Sequence, residues 1–211
     1  MLIIALPKSA STSLLRTLAR LSQLPGKQHF FPEQKWPAAH EFDAMARFHS
    51  DVREITAEQA DLFTADDRWA KQHLVPTANN ESLVGEARFV LLTREPAEIV
   101  LAYRRWEATG ESPPRIEFKG LTTEEQWLER AQDIGIIAEF ERFSERWRTH
   151  PGCLEVSYRE LLSSTDGAFD RIEDWFGMAR SSRPVELARE RFTREAKPAP
   201  AKPARFWTRR K

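Results

Sequence analysis

A short loop near the start of the chain, residues 7–13, combines one lysine with four hydroxyl residues in the sequence PKSASTS. An apolar run at 2–6, typical of a strand buried on both faces, precedes it, and leucines at 14, 15, 18 and 21 mark one face of a following helix. We expect Ser11 or Thr12 to cap that helix, because either side-chain oxygen can accept from a first-turn N–H group. These N–H groups, the helix dipole and Lys8 converge, so the stretch predicts an anion site suited to phosphate.

Two other interpretations of this loop stay open. The plainer one is a capped helix after a buried strand, with Lys8 simply solvated. The other is the phosphate loop of nucleotide triphosphatases, which requires the pattern G-x-x-x-x-G-K-[ST]. Residues 7–13 contain no glycine, so the loop departs from that pattern.

Three further stretches resemble, together with this loop and in the same order, segments of sulfotransferases that use 3′-phosphoadenosine 5′-phosphosulfate (PAPS). The loop is similar to the family's 5′-phosphosulfate loop. KQHL at 71–74 resembles the Lys-x-His-Leu-Pro segment that carries the general base, with its proline one residue late at Pro76. LLTREPAEIV at 91–100 resembles the segment that binds the 3′-phosphate, and EVSYRELL at 155–162 resembles a segment whose tyrosine lies near adenine.

The chain departs from the family pattern at several positions. Ala10 stands where the family usually has glycine, and Ser13 stands where many members have a tryptophan that stacks on adenine. Ala102 occupies the place of a serine that bonds to the 3′-phosphate, although Tyr103 follows it as expected. The terminal FWTRRK weakly resembles the Phe-x-Arg-Lys-Gly segment that wraps the 3′-phosphate in the family. It lacks the glycine of that segment.

The resemblance implies sulfuryl transfer from PAPS to a hydroxyl of a small-molecule or carbohydrate acceptor, an in-line displacement related to phosphoryl transfer. His73 is the expected general base, Lys8 the group that stabilises charge on the leaving oxygen, and Lys71 a partner of the sulfuryl oxygens. The expected cofactor-binding residues are Lys8, Ser9, Ala10, Ser11, Thr12, Ser13, Arg94, Tyr158, Arg209 and Arg210. The scheme requires no metal.

Alternatives to this scheme remain. Glu33 or Glu41 replaces His73 as the base if the chain follows those sulfotransferase branches that use glutamate. A nucleotide-binding or regulatory protein on the same fold, without efficient transfer, would explain the departures at Ser13 and Ala102. A nucleotide or small-molecule kinase with an unusual phosphate loop would require magnesium and bind ATP. His29, His40 and His49 have no partner pattern and are left out of the expected site.

Strands alternating with helices predict an α/β protein, a three-layer arrangement with a central parallel sheet flanked by helices, in the P-loop-like sulfotransferase fold. Strands are expected at 2–6, 68–73, 88–93 and 153–158. Helices are expected after the first strand and at about 38–49, 56–65, 96–109, 122–149, 159–162, 168–176 and 185–195, the longest weakened at Gly135. We expect one domain at 1–195 and a basic Pro/Ala-rich tail at 196–211 that folds over the cofactor. Ligands of such sheets bind at the carboxyl ends of the strands.

Composition limits the other classes of function. The 211 residues carry no net charge, so there is no global field to attract nucleic acid or a membrane surface. A single cysteine, Cys153, fits a reducing compartment, and no apolar run approaches a membrane span. The sequence shows no signal peptide, so we expect a cytoplasmic protein. The resemblance implies a bacterial-type member of the sulfotransferase family. The aromatic loops at 25–50 and 108–122 are the expected acceptor pocket, but neither the acceptor nor the oligomeric state follows from the sequence.

Overall fold

The described part of the chain contains six parallel strands, which form the centre of the fold. The structure is a computed structural model, which describes residues 1–28, 41–49, 51–110 and 115–178. The strands are β1 (Leu2–Ala5), β2 (Gly26–Gln28), β3 (Val52–Arg53), β4 (Trp69–Leu74), β5 (Phe89–Thr93) and β6 (Cys153–Ser157). They lie in the order β2-β4-β1-β5-β6, with β3 paired to β4, and every pairing is parallel. The predicted parallel sheet is confirmed, with β2 and β3 as additional short strands.

Helices cover both faces of this sheet. In the described ranges they are α1 (Ser11–Ser22), α2 (Asp43–Phe48), α3 (Ala57–Thr64), α4 (Ala78–Val84), α5 (Pro96–Ala108), α6 (Glu124–Asp133), α7 (Ile136–Arg148), α8 (Tyr158–Ser163) and α9 (Thr165–Phe176), with a 3₁₀ turn at Ile116–Phe118. Side chains alternate along a strand, so Ile3 and Leu2 enter different cores. Ile3 packs with α1, α8 and α9, whereas Leu2 packs with residues of α2 to α7. The three-layer α/β prediction is therefore confirmed.

The structure differs from expectation at two places. The helix expected at 122–149 is two helices, because Gly135 adopts a φ of 81° that an L-residue rarely adopts and so ends α6. Residues 78–84, where no helix was expected, form helix α4, which begins after Thr77, whose side chain accepts from the Asn80 N–H group. The helix expected at 185–195 and the tail at 196–211 lie outside the described residues.

None of the helices in the described ranges combines the length and the apolar character needed to span a membrane.

Candidate functional site

The residues expected to do chemistry come together at one edge of the sheet. Lys8 follows β1, His73 is the fifth of the six residues of β4, Arg94 follows β5, and Tyr158 follows β6. Because these strands are parallel, their carboxyl ends meet at the same edge. The structure thus brings four separate sequence segments to one place.

The loop after β1 has an unusual backbone. Lys8 and Ala10 have φ values of 56° and 68°, in the left-handed region that favours glycine. Ala10, not Ser11 or Thr12, is the residue that precedes α1, and no side chain caps the helix. The predicted cap is therefore wrong: with Ala10 in the left-handed region, the helix already begins at Ser11, and both hydroxyl residues lie inside its first turn. Non-glycine residues held in this region cluster at ligand-binding sites.

Two hydrogen bonds hold this loop in place. The buried Ser9 hydroxyl donates to the Leu6 carbonyl at 2.6 Å, so its side chain supports the turn. Arg94 Nη1 donates to the Lys8 carbonyl at 2.7 Å. The same guanidinium lies 4.1 Å from the centre of the Tyr158 ring and 3.2 Å from a Glu98 carboxylate oxygen. Arg94 thereby links the loop to the ends of β5 and β6, beside a cavity of about 390 Å³ that Arg94 and Tyr158 help to line.

His73 is buried, with 3% of its surface exposed. Its Nδ1 lies 2.6 Å from the carbonyl oxygen of Ala5. A carbonyl can only accept, so in the neutral imidazole Nδ1 carries the proton and Nε2 keeps the lone pair. Burial, and then the neighbouring Lys71 charge, hold the pKa of His73 well below its usual value. The side chain is therefore a neutral imidazole whose Nε2 lone pair can accept a proton.

Two lysines at this edge, Lys8 and Lys71, are charged groups that are half or fully removed from solvent. Lys71 lies on the same face of β4 as His73 and is 2% exposed. Burial lowers the pKa of Lys71 to about 8, and burial followed by the Arg115 charge lowers the pKa of Lys8 to about 8. Lys8 Nζ lies 3.3 Å from the centre of the Trp106 ring. Among the described residues neither lysine forms an ion pair with a carboxylate. Charged lysines that are not paired in this way favour the binding of an anionic ligand.

The structure adds residues to this edge that sequence reasoning missed. The ring of His49 lies 4.9 Å from that of His73, in an edge-to-face arrangement. The Arg115 guanidinium lies 4.0 Å from the centre of the Tyr103 ring and is paired with Glu107. Arg115 comes from the loop at 108–122, where the acceptor pocket was expected. Nothing in the sequence around His49 indicates its position, because the pairing of β3 with β4 creates it.

Other expected site residues lie elsewhere or outside the description. Glu41 forms an ion pair with Arg146 of α7. Glu33, Arg209 and Arg210 fall outside the described residues. Ala102 lies half-buried on α5.

Comparison with known proteins identifies the fold. The chain resembles the mouse sulfotransferase SULT7A1 complexed with PAP, with a TM-score of 0.61 and 14% sequence identity, over 91% of this chain and 63% of that one. A weaker match, with a TM-score of 0.45 and 17% identity, is retinol dehydratase in complex with androsterone and inactive cofactor PAP, over 61% of this chain and 37% of that one. No protein-family model and no curated protein matches the sequence. The chain therefore shares the three-layer fold of this mouse protein, and it spans 63% of that protein's length.

Proposed function

We propose that this protein transfers a sulfuryl group from PAPS to a hydroxyl of a small-molecule or carbohydrate acceptor. The observation that carries the proposal is the arrangement of Lys8, Lys71 and His73. Buried Lys71, on the same strand face as His73, and half-buried Lys8 have no carboxylate partner among the described residues, and the neutral imidazole of His73 can accept a proton at Nε2. The set matches what the reaction requires, which is positive charge around a transferring anion and one base for the acceptor hydroxyl.

Each side chain has a distinct task in this proposal. PAPS supplies the activated sulfuryl group. His73 Nε2 takes the proton of the acceptor hydroxyl, and the Ala5 carbonyl stabilises the imidazolium that forms. Lys71 holds the sulfuryl oxygens, and Lys8 stabilises the negative charge that develops on the leaving phosphate.

The remaining expected residues would hold the nucleotide. Backbone N–H groups of residues 9–13 and the hydroxyls of Ser11 and Thr12 bind the 5′-phosphate at the start of α1, where the helix dipole favours an anion. Arg94 offers a planar fork to the 3′-phosphate, and Tyr158 lies under its guanidinium, near the adenine. Ser9 contributes its backbone N–H, since its hydroxyl is bonded to Leu6.

Calorimetric titration with 3′-phosphoadenosine 5′-phosphate (PAP), without magnesium and with ATP and AMP as controls, tests the proposal. We expect PAP to bind in preference to both controls. Arg94→Ala should weaken PAP binding by at least tenfold, whereas Arg88→Ala, at the other end of β5, should leave it unchanged. Preference for ATP with magnesium would replace this proposal with a kinase-like function, and absence of PAP binding would refute it.

A second candidate is a regulatory protein that binds PAP without transferring the group. Ala102 favours it, because alanine cannot supply the hydroxyl that the resemblance places at the 3′-phosphate. Formation of PAP from PAPS in the presence of an acceptor separates the two candidates. Transfer supports the enzyme, and tight binding without turnover supports the regulatory protein.

The domain limits and location follow from the same resemblance. We infer one catalytic domain at 1–195, with the basic tail at 196–211 folding over the nucleotide so that Arg209 and Arg210 contact the 3′-phosphate. Truncation after residue 195 should then weaken PAP binding more than AMP binding. The single cysteine supports a cytoplasmic location, and the bacterial-type assignment rests on the motifs alone.

A further inference from the structure

His49 faces the proposed base from a neighbouring element. It is the residue that ends α2, where its N–H group donates to the Met45 carbonyl, and it lies just before β3. Strand β3 pairs with β4 so that Val52 is opposite His73. This pairing places the His49 ring 4.9 Å from that of His73 and 5.8 Å from that of Tyr103. The position of His49 is therefore set by the sheet.

The half-buried imidazole of His49 has ring nitrogens to which none of the described residues hydrogen-bonds, although its backbone groups are bonded. The neighbouring Tyr103 side chain is fully buried, with its hydroxyl beside the Arg115 guanidinium. Arg115 also stacks over the face of the Tyr103 ring. The ring nitrogens of His49 are therefore available to a polar ligand.

A metal ion is the first ligand to consider. His49, Asp51 and His73 each offer one ligand atom, and the three atoms lie within 4.8 Å of one another. The charges lying around this group, however, are Lys8, Lys71, Arg53 and Arg115, which all lower the pKa of His49, after the larger effect of burial. Asp51 is already engaged in a buried ion pair with Arg53. These four nearby cations disfavour a further positive charge. A neutral ligand that forms hydrogen bonds therefore suits this place better than a metal ion.

We propose that His49 binds a second hydroxyl of the acceptor, adjacent to the one that His73 deprotonates, so that the preferred acceptor is a vicinal diol. This inference rests on the proposed sulfuryl transfer. Hydroxyls on adjacent carbons lie about one hydrogen-bond length, ~2.8 Å, apart. The two imidazole rings, whose centres lie 4.9 Å apart, can therefore bond to one hydroxyl each.

The surroundings suit a ring that carries these hydroxyls. Phe48, Tyr103 and Trp106 form a contiguous aromatic group, with ring centres 4.5 Å and 6.0 Å apart along it. These rings make the surroundings of the two imidazoles largely apolar, which suits the carbon skeleton that carries the two hydroxyls. A catechol and a sugar share the required diol, and the experiment separates them.

Transfer assays with PAPS test the inference on two matched acceptor pairs. Catechol is compared with guaiacol, which has one hydroxyl methylated, and cis-1,2-cyclohexanediol is compared with cyclohexanol. We expect at least a tenfold preference in kcat/KM for the diol in one pair. A preference in the first pair identifies an aromatic acceptor, and a preference in the second identifies a sugar-like one.

His49→Phe keeps a ring of similar size and removes both nitrogens. We expect it to lower kcat/KM for the preferred diol at least tenfold more than for the matched monohydroxy compound. His49→Gln, which restores one hydrogen-bonding group, should recover part of the preference. His150→Phe, an imidazole near the amino end of β6, should leave both acceptors unchanged, and a thermal melt of each variant reports folding.

The outcomes separate this inference from the proposed function. Transfer without a diol preference in either pair, or a preference that persists in His49→Phe, overturns the role of His49 alone. Wild-type protein that neither binds PAP nor transfers the group overturns both. Tight Zn²⁺ binding that His49→Phe abolishes would assign a metal site here and would also overturn the diol inference.

Discussion

The Nδ1 atom of His73 lies 2.6 Å from the carbonyl oxygen of Ala5, the last residue of β1. This contact ties the proposed base to the strand that leads into the lysine-containing loop. It selects the tautomer in which Nε2 carries the lone pair, since the carbonyl accepts a hydrogen bond from the Nδ1–H group. One short contact between adjacent strands therefore sets both the position and the chemistry of the imidazole.

Replacement of His73 tests its role as the base. His73→Ala should lower kcat for sulfuryl transfer by about 10²- to 10⁴-fold, the usual contribution of a general base. PAP affinity, measured by calorimetry, should change less than threefold, because the imidazole does not hold the nucleotide. His150→Ala is the matched control, with unchanged kcat. Retention of kcat in His73→Ala would transfer the role to another residue, with Glu33 as the first alternative.

The two lysines predict how PAP binding depends on pH. Their pKa values, lowered to about 8, mean that both lose their charge as the pH rises through that value. PAP affinity should therefore fall above about pH 8 and stay level below it, because the cationic forms are already complete there. The low pKa of His73 leaves that imidazole neutral down to below pH 6.5, so the base imposes no acidic limit near neutrality.

Calorimetry in two buffers of different ionisation enthalpy provides the measurement. Binding of the anion raises the pKa of both lysines, so we expect net proton uptake near pH 8. Lys71→Met should reduce this uptake, whereas Lys119→Met, at an exposed position, should not. PAP affinity that is independent of pH between about 7 and 10 would contradict the assignment of both lysines.

The left-handed conformation of Ala10 predicts a gain from glycine. An L-residue in this region costs about 1 kcal/mol, which glycine avoids, although glycine also has more freedom in the unfolded chain. Ala10→Gly should raise the free energy of unfolding by about 0.5 kcal/mol. Thr12→Gly, inside the first turn of α1, should lower it by about 0.5 to 1 kcal/mol. Urea denaturation measures both variants, and destabilisation by Ala10→Gly would show that the loop has a different conformation.

The buried side chain of Asn80 stabilises the chain where β3 and β4 end. This side chain accepts from the Ile55 N–H group at 2.9 Å and donates to the carbonyls of Arg53 at 3.1 Å and Val75 at 2.8 Å. Asn80→Ala should lower the free energy of unfolding by about 3 kcal/mol, since each bond contributes about 1 kcal/mol. Asn79→Ala, which removes one bond from an exposed residue, should cost less than about 1 kcal/mol. Equal losses in urea denaturation would contradict this account.

Ala102 predicts a gain of function. Ala102→Ser restores the hydroxyl that the resemblance places beside the 3′-phosphate, and a hydrogen bond to a charged group contributes about 1.5 to 3 kcal/mol. PAP should therefore bind about tenfold more tightly or better, whereas AMP, which lacks the 3′-phosphate, should bind unchanged. Calorimetry with both nucleotides provides the test. An equal gain for AMP would show that the new hydroxyl acts elsewhere.

The sequence alone determined the sheet and most of the expected constellation. The run that became β1 is wholly apolar and the run that became β5 has a polar residue only at its last position, Thr93, so both had to be buried between layers of helices. Lys8, His73, Arg94 and Tyr158 each lie near the carboxyl end of such a strand. In a parallel sheet those ends share one edge, so their meeting follows from local patterns and topology.

Only the tertiary structure decided the rest. His49 reaches His73 because two-residue β3 pairs with β4, a contact too short to leave a periodic pattern. Ala10 precedes α1 although hydroxyl residues are the better local caps. The loop between β1 and α1 is held by a hydrogen bond from Arg94, which is distant in sequence, to the Lys8 carbonyl. The lowered pKa values of Lys8 and Lys71 likewise come from burial and from neighbours on other segments. Such features depend on contacts between residues far apart in the chain, and local propensity carries no information about these contacts.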